Sequence, residues 1–128
     1  MKVHRLIQSY FSQLKTALIL STAIESYQVT REIVKDLEGY LRIRASLIDG
    51  GQFDIFIYVI SNQEISIVKY SFHWQDKDKK LVMRWDNAPH HQELDNFPHH
   101  LHLEDETKPS TEPYYMDILK IIEDKMTL

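Results

Sequence analysis

The sequence predicts a single α+β domain: an antiparallel β-meander of four or five strands, with an N-terminal and a C-terminal helix packed on one face. Three observations support this fold class. Apolar residues make up 43% of the 128-residue chain, which is enough for one packed core. The middle of the chain alternates between apolar and polar residues, the period of a half-buried strand. Short turns separate these runs, and short links join antiparallel neighbours.

The N-terminal segment, residues 1–26, is expected to be helical. Apolar side chains recur at helical spacing over residues 3–18, with polar residues on the other side. The pattern over 19–26 fits neither a helix nor a strand clearly. Residues 27–35 alternate weakly and are expected to form the first strand.

The prediction of a sheet over residues 27–86 rests mainly on four further β-like runs. These runs are 40–48, 53–61, 64–75 and 80–86. A three-residue turn, a two-residue turn and a four-residue turn separate them, namely Asp49-Gly50-Gly51, Asn62-Gln63 and Asp76-Lys77-Asp78-Lys79. These turns carry one apolar face through all four strands. Its residues are Leu41, Ile43, Ala45, Leu47, Phe53, Ile55, Ile57, Val59, Val68, Tyr70, Phe72, Trp74, Leu81, Met83 and Trp85.

The opposite face of the sheet is polar and concentrates the side chains that could carry chemistry. Its residues are Arg42, Arg44, Asp54, Tyr58, Lys69, Ser71, His73, Arg84 and Asp86. In this register Ser71 lies opposite Arg84, and Lys69 lies opposite Asp86. One interpretation is an RNA-facing platform, since arginine and lysine bind phosphate and histidine or tyrosine moves protons. The other is an ordinary solvated face with cross-strand ion pairs.

Residues 87–110 are predicted to be a long histidine-rich loop. It holds three prolines and five histidines, namely His90, His91, His99, His100 and His102. Neutral imidazole is a good zinc ligand, and three or more of these histidines could hold the ion. Adjacent histidines in extended chain point apart, however, and the spacing matches no ligand motif, so we expect no bound metal and no cofactor. Proline restrains the entry to each histidine cluster. We therefore expect an ordered cluster beside Arg84 and Asp86, with rings oriented by a carboxylate or by backbone carbonyls.

The last segment, residues 111–128, is expected to be a helix. Ser110 or Thr111 is the predicted N-cap, and Pro113 is placed in the first turn.

Composition narrows the functional classes. The chain has no cysteine, which removes thiolate zinc sites and cysteine nucleophiles and fits a reducing cytoplasm. No signal-peptide pattern and no apolar run of about 20 residues is present, so we expect a cytoplasmic protein without a membrane partner. The net charge of −4 argues against a general nucleic-acid coat protein. Phosphate-loop, dinucleotide-binding, α/β-hydrolase and zincin motifs are absent.

Three stretches carry a family resemblance. They are residues 69–76 (KYSFHWQD), 84–91 (RWDNAPHH) and 97–102 (FPHHLH), and they are similar to the TumE family of toxin–antitoxin toxins. The resemblance covers about residues 37–115. A Gln92-Glu93 pair replaces the usual Pro-Glu after the histidines. The resemblance implies a type II toxin whose partner is a helix-turn-helix antitoxin, and it does not imply a catalytic mechanism.

Two functional hypotheses follow. The first is a toxin that acts on RNA, with RNA or the ribosome as partner, through metal-independent cleavage. Its catalytic candidates are His73, Arg84, Asp86, His90 and His91. Its substrate-binding candidates are Arg42, Arg44, Tyr58, Lys69, His99, His100 and His102. The alternative is a non-catalytic module that docks a protein partner through the histidine-rich loop. The sequence leaves the oligomeric state open, a homodimer included.

Overall fold

The computed structural model describes residues 2–89 and 98–127. The elements in chain order are α1 (Lys2–Leu20), β1 (Ile24–Lys35), β2 (Glu38–Leu47), β3 (Gln52–Asn62), β4 (Glu64–Gln75), β5 (Leu81–Asp86), β6 (His100–His102), β7 (Thr107–Pro109) and α2 (Tyr115–Met126). All seven strands belong to one sheet, and their order in the sheet is their order in the chain. Every neighbouring pair is antiparallel. The α+β class and the meander are therefore confirmed.

The strand count is higher than predicted. We expected four or five strands and an irregular loop over 87–110, but β6 and β7 lie inside that segment. β6 pairs with β5 on one side and with β7 on the other, and the turn between them closes with a bond from the Leu103 amide to the Glu106 carbonyl. Strands of three residues are too short to show alternation, so the pattern gave no sign of them.

The ends of both helices also differ from the prediction. α1 ends at Leu20 and β1 already begins at Ile24, inside the segment expected to be helical. α2 begins at Tyr115, after an extended Tyr114 with φ −96° and ψ 133°. Ser110 and Thr111 therefore do not cap it, and Pro113 precedes it. Proline disfavours helical backbone in the residue before it, which explains the later start.

One core forms between the apolar sheet face and both helices. α1 and α2 bury their apolar stripes in it. Helix α1 comes so close to β2 that a Cβ on Gly39 would lie 2.6 Å from Cγ2 of Ile7. Neither helix combines the length and apolar character needed to cross a membrane, within the residues described. The core positions on β2 and β3 match the prediction: Leu41, Ile43, Ala45, Leu47, Phe53, Ile55, Ile57 and Val59 are all buried.

The observed register differs from the predicted one at two β-bulges, the first of which is at Val68. In β4 the pairing shifts between Tyr58↔Lys69 and Val59↔Ile67, so Val68 has no partner and is 45% exposed instead of buried. Beyond the bulge, Tyr70, Phe72 and Trp74 are buried on the apolar face, as predicted. A β-bulge adds one unpaired residue to one strand, which the alternation alone does not reveal.

The pairing of β4 with β5 is offset by two residues from the prediction. Ser71 lies opposite Asp86, and His73 lies opposite Arg84. The connecting loop has five residues rather than four, because the Asp76 amide bonds to the Lys80 carbonyl. A bulge next to Gln75 adds the second residue of the offset. An offset of two keeps each side chain on its face, so this offset does not change the predicted faces of β5.

Candidate functional site

Two transverse rows of side chains cross the polar face of the sheet. The pairing places the first row in the order Arg44, Asp54, His73, Arg84, His102 and Thr107. The second row runs Arg42, Phe56, Ser71, Asp86, His100 and Pro109. Residues that are directly opposite on neighbouring strands have Cβ atoms about 5 Å apart, so each row is a chain of side-chain neighbours.

Asp86 is the centre of these contacts. Its carboxylate is 3% exposed and accepts a hydrogen bond of 2.8 Å from Nε of Arg84 at Oδ2. The Ala88 amide donates to Oδ1 at 3.2 Å. His100 Nε2 lies 2.7 Å from Oδ1, and His102 Nε2 lies 3.2 Å from Oδ2. Burial acts to raise the pKa of Asp86, but these donors and positive charges outweigh it and hold the pKa below its usual value.

His73 accepts a hydrogen bond from Arg84 on the polar face. Its Nδ1 lies 3.2 Å from Nη1 of Arg84, and a guanidinium can only donate. Nδ1 therefore accepts, and the ring proton belongs on Nε2. Burial and then the Arg84 charge lower the pKa of His73, while Asp54 and Gln75 act in the opposite direction. At neutral pH the ring is uncharged, and Gln75 is a further hydrogen-bond partner of it.

An open, concave pocket of about 490 Å³ lies over the two rows. Its charged and hydrogen-bonding lining comprises Arg42, Asp54, Lys69, Ser71, His73, Gln75, Arg84 and Asp86. Arg44 and Gln52 both donate to Asp54. Among the described residues no carboxylate lies within ion-pairing distance of Arg42 or Lys69. The pocket therefore combines two cations that pair with no carboxylate of the described residues and a third, Arg84, whose charge is shared with Asp86.

The other predicted site residues are distributed more widely. Arg44 lies at the margin, 62% exposed in its side chain, and its Nε contacts Asp54 at 3.4 Å. Tyr58 stacks on Tyr40 with ring centroids 4.3 Å apart. Its hydroxyl donates to Glu38 at 2.8 Å, and this bond, with a smaller effect of burial, raises the pKa of Tyr58 to about 12.

Of the five histidines in residues 87–110, the structure describes three, and these three fall into two groups. His100 and His102 join Asp86, as described above. His99 faces the apolar side, where its Nδ1 lies 2.9 Å from the Tyr70 hydroxyl and its ring stacks on the Tyr70 ring. His90 and His91 lie outside the described residues. The structure thus brings together His73, Arg84, Asp86, His100 and His102, and it places Arg42 and Lys69 at the same pocket.

Two site residues were missed from sequence. Phe56 lies between Asp54 and Tyr58 on the polar face, and the Arg42 guanidinium sits 4.2 Å above its ring. Phe56 is two residues from Asp54 and from Tyr58, so the alternation of the predicted strand already assigns it to the polar face. Asn87 accepts a hydrogen bond from the Tyr70 amide and donates one to the Val68 carbonyl, both at 3.0 Å, so it bridges the bulge in β4. No sequence pattern signals this role, because it exists only once the bulge has formed.

The fold is that of a small α+β protein whose polar sheet face carries a pocket lined by Arg42, Lys69 and Arg84. The family model for the toxin TumE matches residues 14–127. The chain therefore belongs to the TumE toxin family, as its motifs indicated. No curated protein and no solved structure gives a significant match.

Proposed function

We propose that this toxin acts on RNA, and that the polar face of the sheet binds the RNA backbone. The observation that carries the proposal is the cationic pocket: Arg42, Lys69 and Arg84 line one concavity, next to the Nε2–H of His73. Arginine and lysine side chains bind phosphates, and the partly buried Phe56 ring, with the Arg42 guanidinium above it, lines the same pocket. A single strand fits this open, shallow surface.

The chemistry we propose is metal-independent cleavage of the RNA backbone. The reaction needs a base for the 2′-hydroxyl, cations for the charge that develops on phosphorus, and an acid for the leaving oxygen. Arg84 and Lys69 would supply the charge, and the Nε2–H of the neutral His73 would donate a hydrogen bond to a phosphate oxygen. The proton for the leaving oxygen would come from one of the other proton-transfer candidates, His90 and His91. Asp86 holds the Arg84 guanidinium in place. His90 and His91 stay the sequence-based candidates for the base.

The alternative, a module that docks a protein through its histidines, receives less support. The described histidines of this region contact their own chain: His99 contacts Tyr70, His100 contacts Pro98 and Asp86, and His102 contacts Asp86 and Thr107. We propose a helix-turn-helix antitoxin as the neutralising partner and the cytoplasm as the location. These two proposals rest on the family alone. A ribosome partner and a homodimer stay predictions from sequence.

The test combines growth, RNA integrity and RNA binding. Induced expression without antitoxin should stop growth and produce new RNA 5′ ends, which sequencing of total RNA would map. Purified protein should cleave the same RNA in excess chelator. Growth arrest with intact RNA and normal translation would refute the proposal.

Binding gives the matched control. The variant pair Lys69→Ala and Lys77→Ala removes the same charge from the pocket and from an exposed turn. Only Lys69→Ala should reduce the slope of log affinity against log salt, by about 0.7 for one lost phosphate contact on single-stranded RNA. Equal slopes for both variants would place the RNA elsewhere on the protein.

A further inference from the structure

Asp86, His100 and His102 form a compact group of metal-ligand side chains where β5 meets β6. One ligand atom from each lies within 4.8 Å of the other two. Asp86 and His100 are 3% and 1% exposed, while the His102 side chain is 19% exposed and gives solvent access. We propose that these three residues bind one first-row divalent transition metal ion, such as zinc. Two imidazoles and one carboxylate are the donor set that such ions prefer.

The protons on His100 make the strongest case. Its Nδ1 lies 2.8 Å from the Pro98 carbonyl oxygen, which can only accept, so Nδ1 carries a proton. In the neutral ring Nε2 is then a lone pair, and it lies 2.7 Å from Oδ1 of Asp86. Two lone pairs at this distance repel unless a cation lies between them. Either a second proton makes His100 an imidazolium, or a metal ion accepts both atoms.

The surroundings favour the metal ion. A bond from the second ring nitrogen to a backbone carbonyl is the usual arrangement of a metal-binding histidine, because it fixes the tautomer and aims the lone pair. Nδ1 of His102 also has a partner, the Thr107 hydroxyl at 3.3 Å, which can either accept or donate the hydrogen bond. Arg84 donates to Oδ2 of Asp86, and the Ala88 amide donates to Oδ1 at 3.2 Å; a carboxylate oxygen has two lone pairs, so Oδ1 keeps one for a metal. Ligand atoms about 2.0–2.2 Å from a tetrahedral zinc ion lie roughly 3.3–3.6 Å apart, so Nε2 of His100 and Oδ1 of Asp86, now 2.7 Å apart, would separate by less than about 1 Å when the ion binds.

The sequence argument for no metal was correct on one point and missed another. Adjacent histidines of a strand do point apart, and His99 lies on the opposite side from His100. Residues i and i+2 point to the same side, however, and His100 and His102 have this spacing. The third ligand comes from the neighbouring strand, which sequence spacing alone could not reveal.

We infer a structural role for the ion. It would join β6 to β5 and fix the carboxylate that orients Arg84. This inference is independent of the proposed RNA cleavage. Cleavage that stops in chelator would refute the metal-independent chemistry without bearing on binding of the ion, which is measured directly.

The experiment measures metal binding by the full chain. Protein stripped with a chelator and dialysed is titrated with zinc in competition with a chromophoric chelator, and retained zinc is counted after gel filtration. We expect one zinc per chain. His102→Gln should weaken zinc binding at least 10-fold, whereas His73→Gln, which removes a histidine from the same sheet face, should leave it unchanged. No retained zinc in the wild type, or equal loss in both variants, would overturn the proposal.

A second measurement needs no variant. Nitrogen NMR of the histidine rings reports how many protons each ring carries. When zinc is added, His100 should keep its Nδ1 proton and Nε2 should show a metal-bound signal. If both His100 nitrogens stay protonated with zinc in excess, the cation between His100 and Asp86 is a proton and the metal site is refuted.

Discussion

Replacing Asp86 by asparagine tests whether the buried carboxylate stabilises the site region. The change keeps the shape of the side chain but removes the charge that Arg84, His100 and His102 face. Breaking a buried ion pair by removing one partner costs about 3–5 kcal/mol, because the other charge loses its compensation. Arg84 is 39% exposed in its side chain and can turn partly to water, so we expect the lower end, about 3 kcal/mol.

The matched control is Asp54→Asn on the same sheet face. The pair of Asp54 with Arg44 is 3.4 Å long, and its side chains are 35% and 62% exposed. Exposed pairs of this kind contribute about 0–1 kcal/mol. Urea unfolding in excess chelator, so that bound metal does not contribute, gives both values. With an m-value of roughly 1.5 kcal/mol/M, the midpoint should fall by about 2 M for Asp86→Asn and by less than about 0.7 M for Asp54→Asn.

The outcome that contradicts this reasoning is a similar shift for the two variants. A midpoint for Asp86→Asn within about 0.5 M of the wild type would mean that the buried carboxylate contributes little. The contacts of Arg84, His100 and His102 with Asp86 would then not hold β6 in place.

Three further predictions concern single side chains. Gly39→Ala should cost about 1–3 kcal/mol in unfolding free energy, because the new Cβ meets Ile7 at 2.6 Å; wild-type stability would disprove this close packing. Asn87→Ala should cost about 1–2 kcal/mol and speed hydrogen exchange of the Tyr70 amide, and an unchanged exchange rate would show that Asn87 does not hold the bulge. The pKa of His73 is lower in the folded protein than in the unfolded chain, where it is about 6.5. The unfolded chain therefore binds this proton at a higher pH than the folded protein does. Stability should therefore fall as pH drops from about 6.5 towards the folded pKa, and urea midpoints at pH 7.5 and 5.5 should differ less in His73→Gln than in the wild type.

The faces of the sheet could be predicted from sequence because side-chain direction in a strand has a period of two residues. Leu41 and Phe53 were placed inward and Arg42 and His73 outward, and the structure agrees. The exact partners of each strand could not be predicted. The bulge at Val68 and the longer loop after Gln75 each add a residue, and such an insertion depends on the packing of both strands.

The sequence by itself determined the fold class, the family and the polar face, since periodicity, turn residues and local motifs are properties of neighbouring positions. Only the tertiary structure decided which charges meet. Asp86 precedes His100 by fourteen positions, and nothing local requires them to touch. Their contact depends on β6 pairing with β5, a pairing of three residues too short to leave a pattern in the sequence. Long-range pairing is set by the free energy of the whole sheet, and it turns separate histidines, a carboxylate and an arginine into one site.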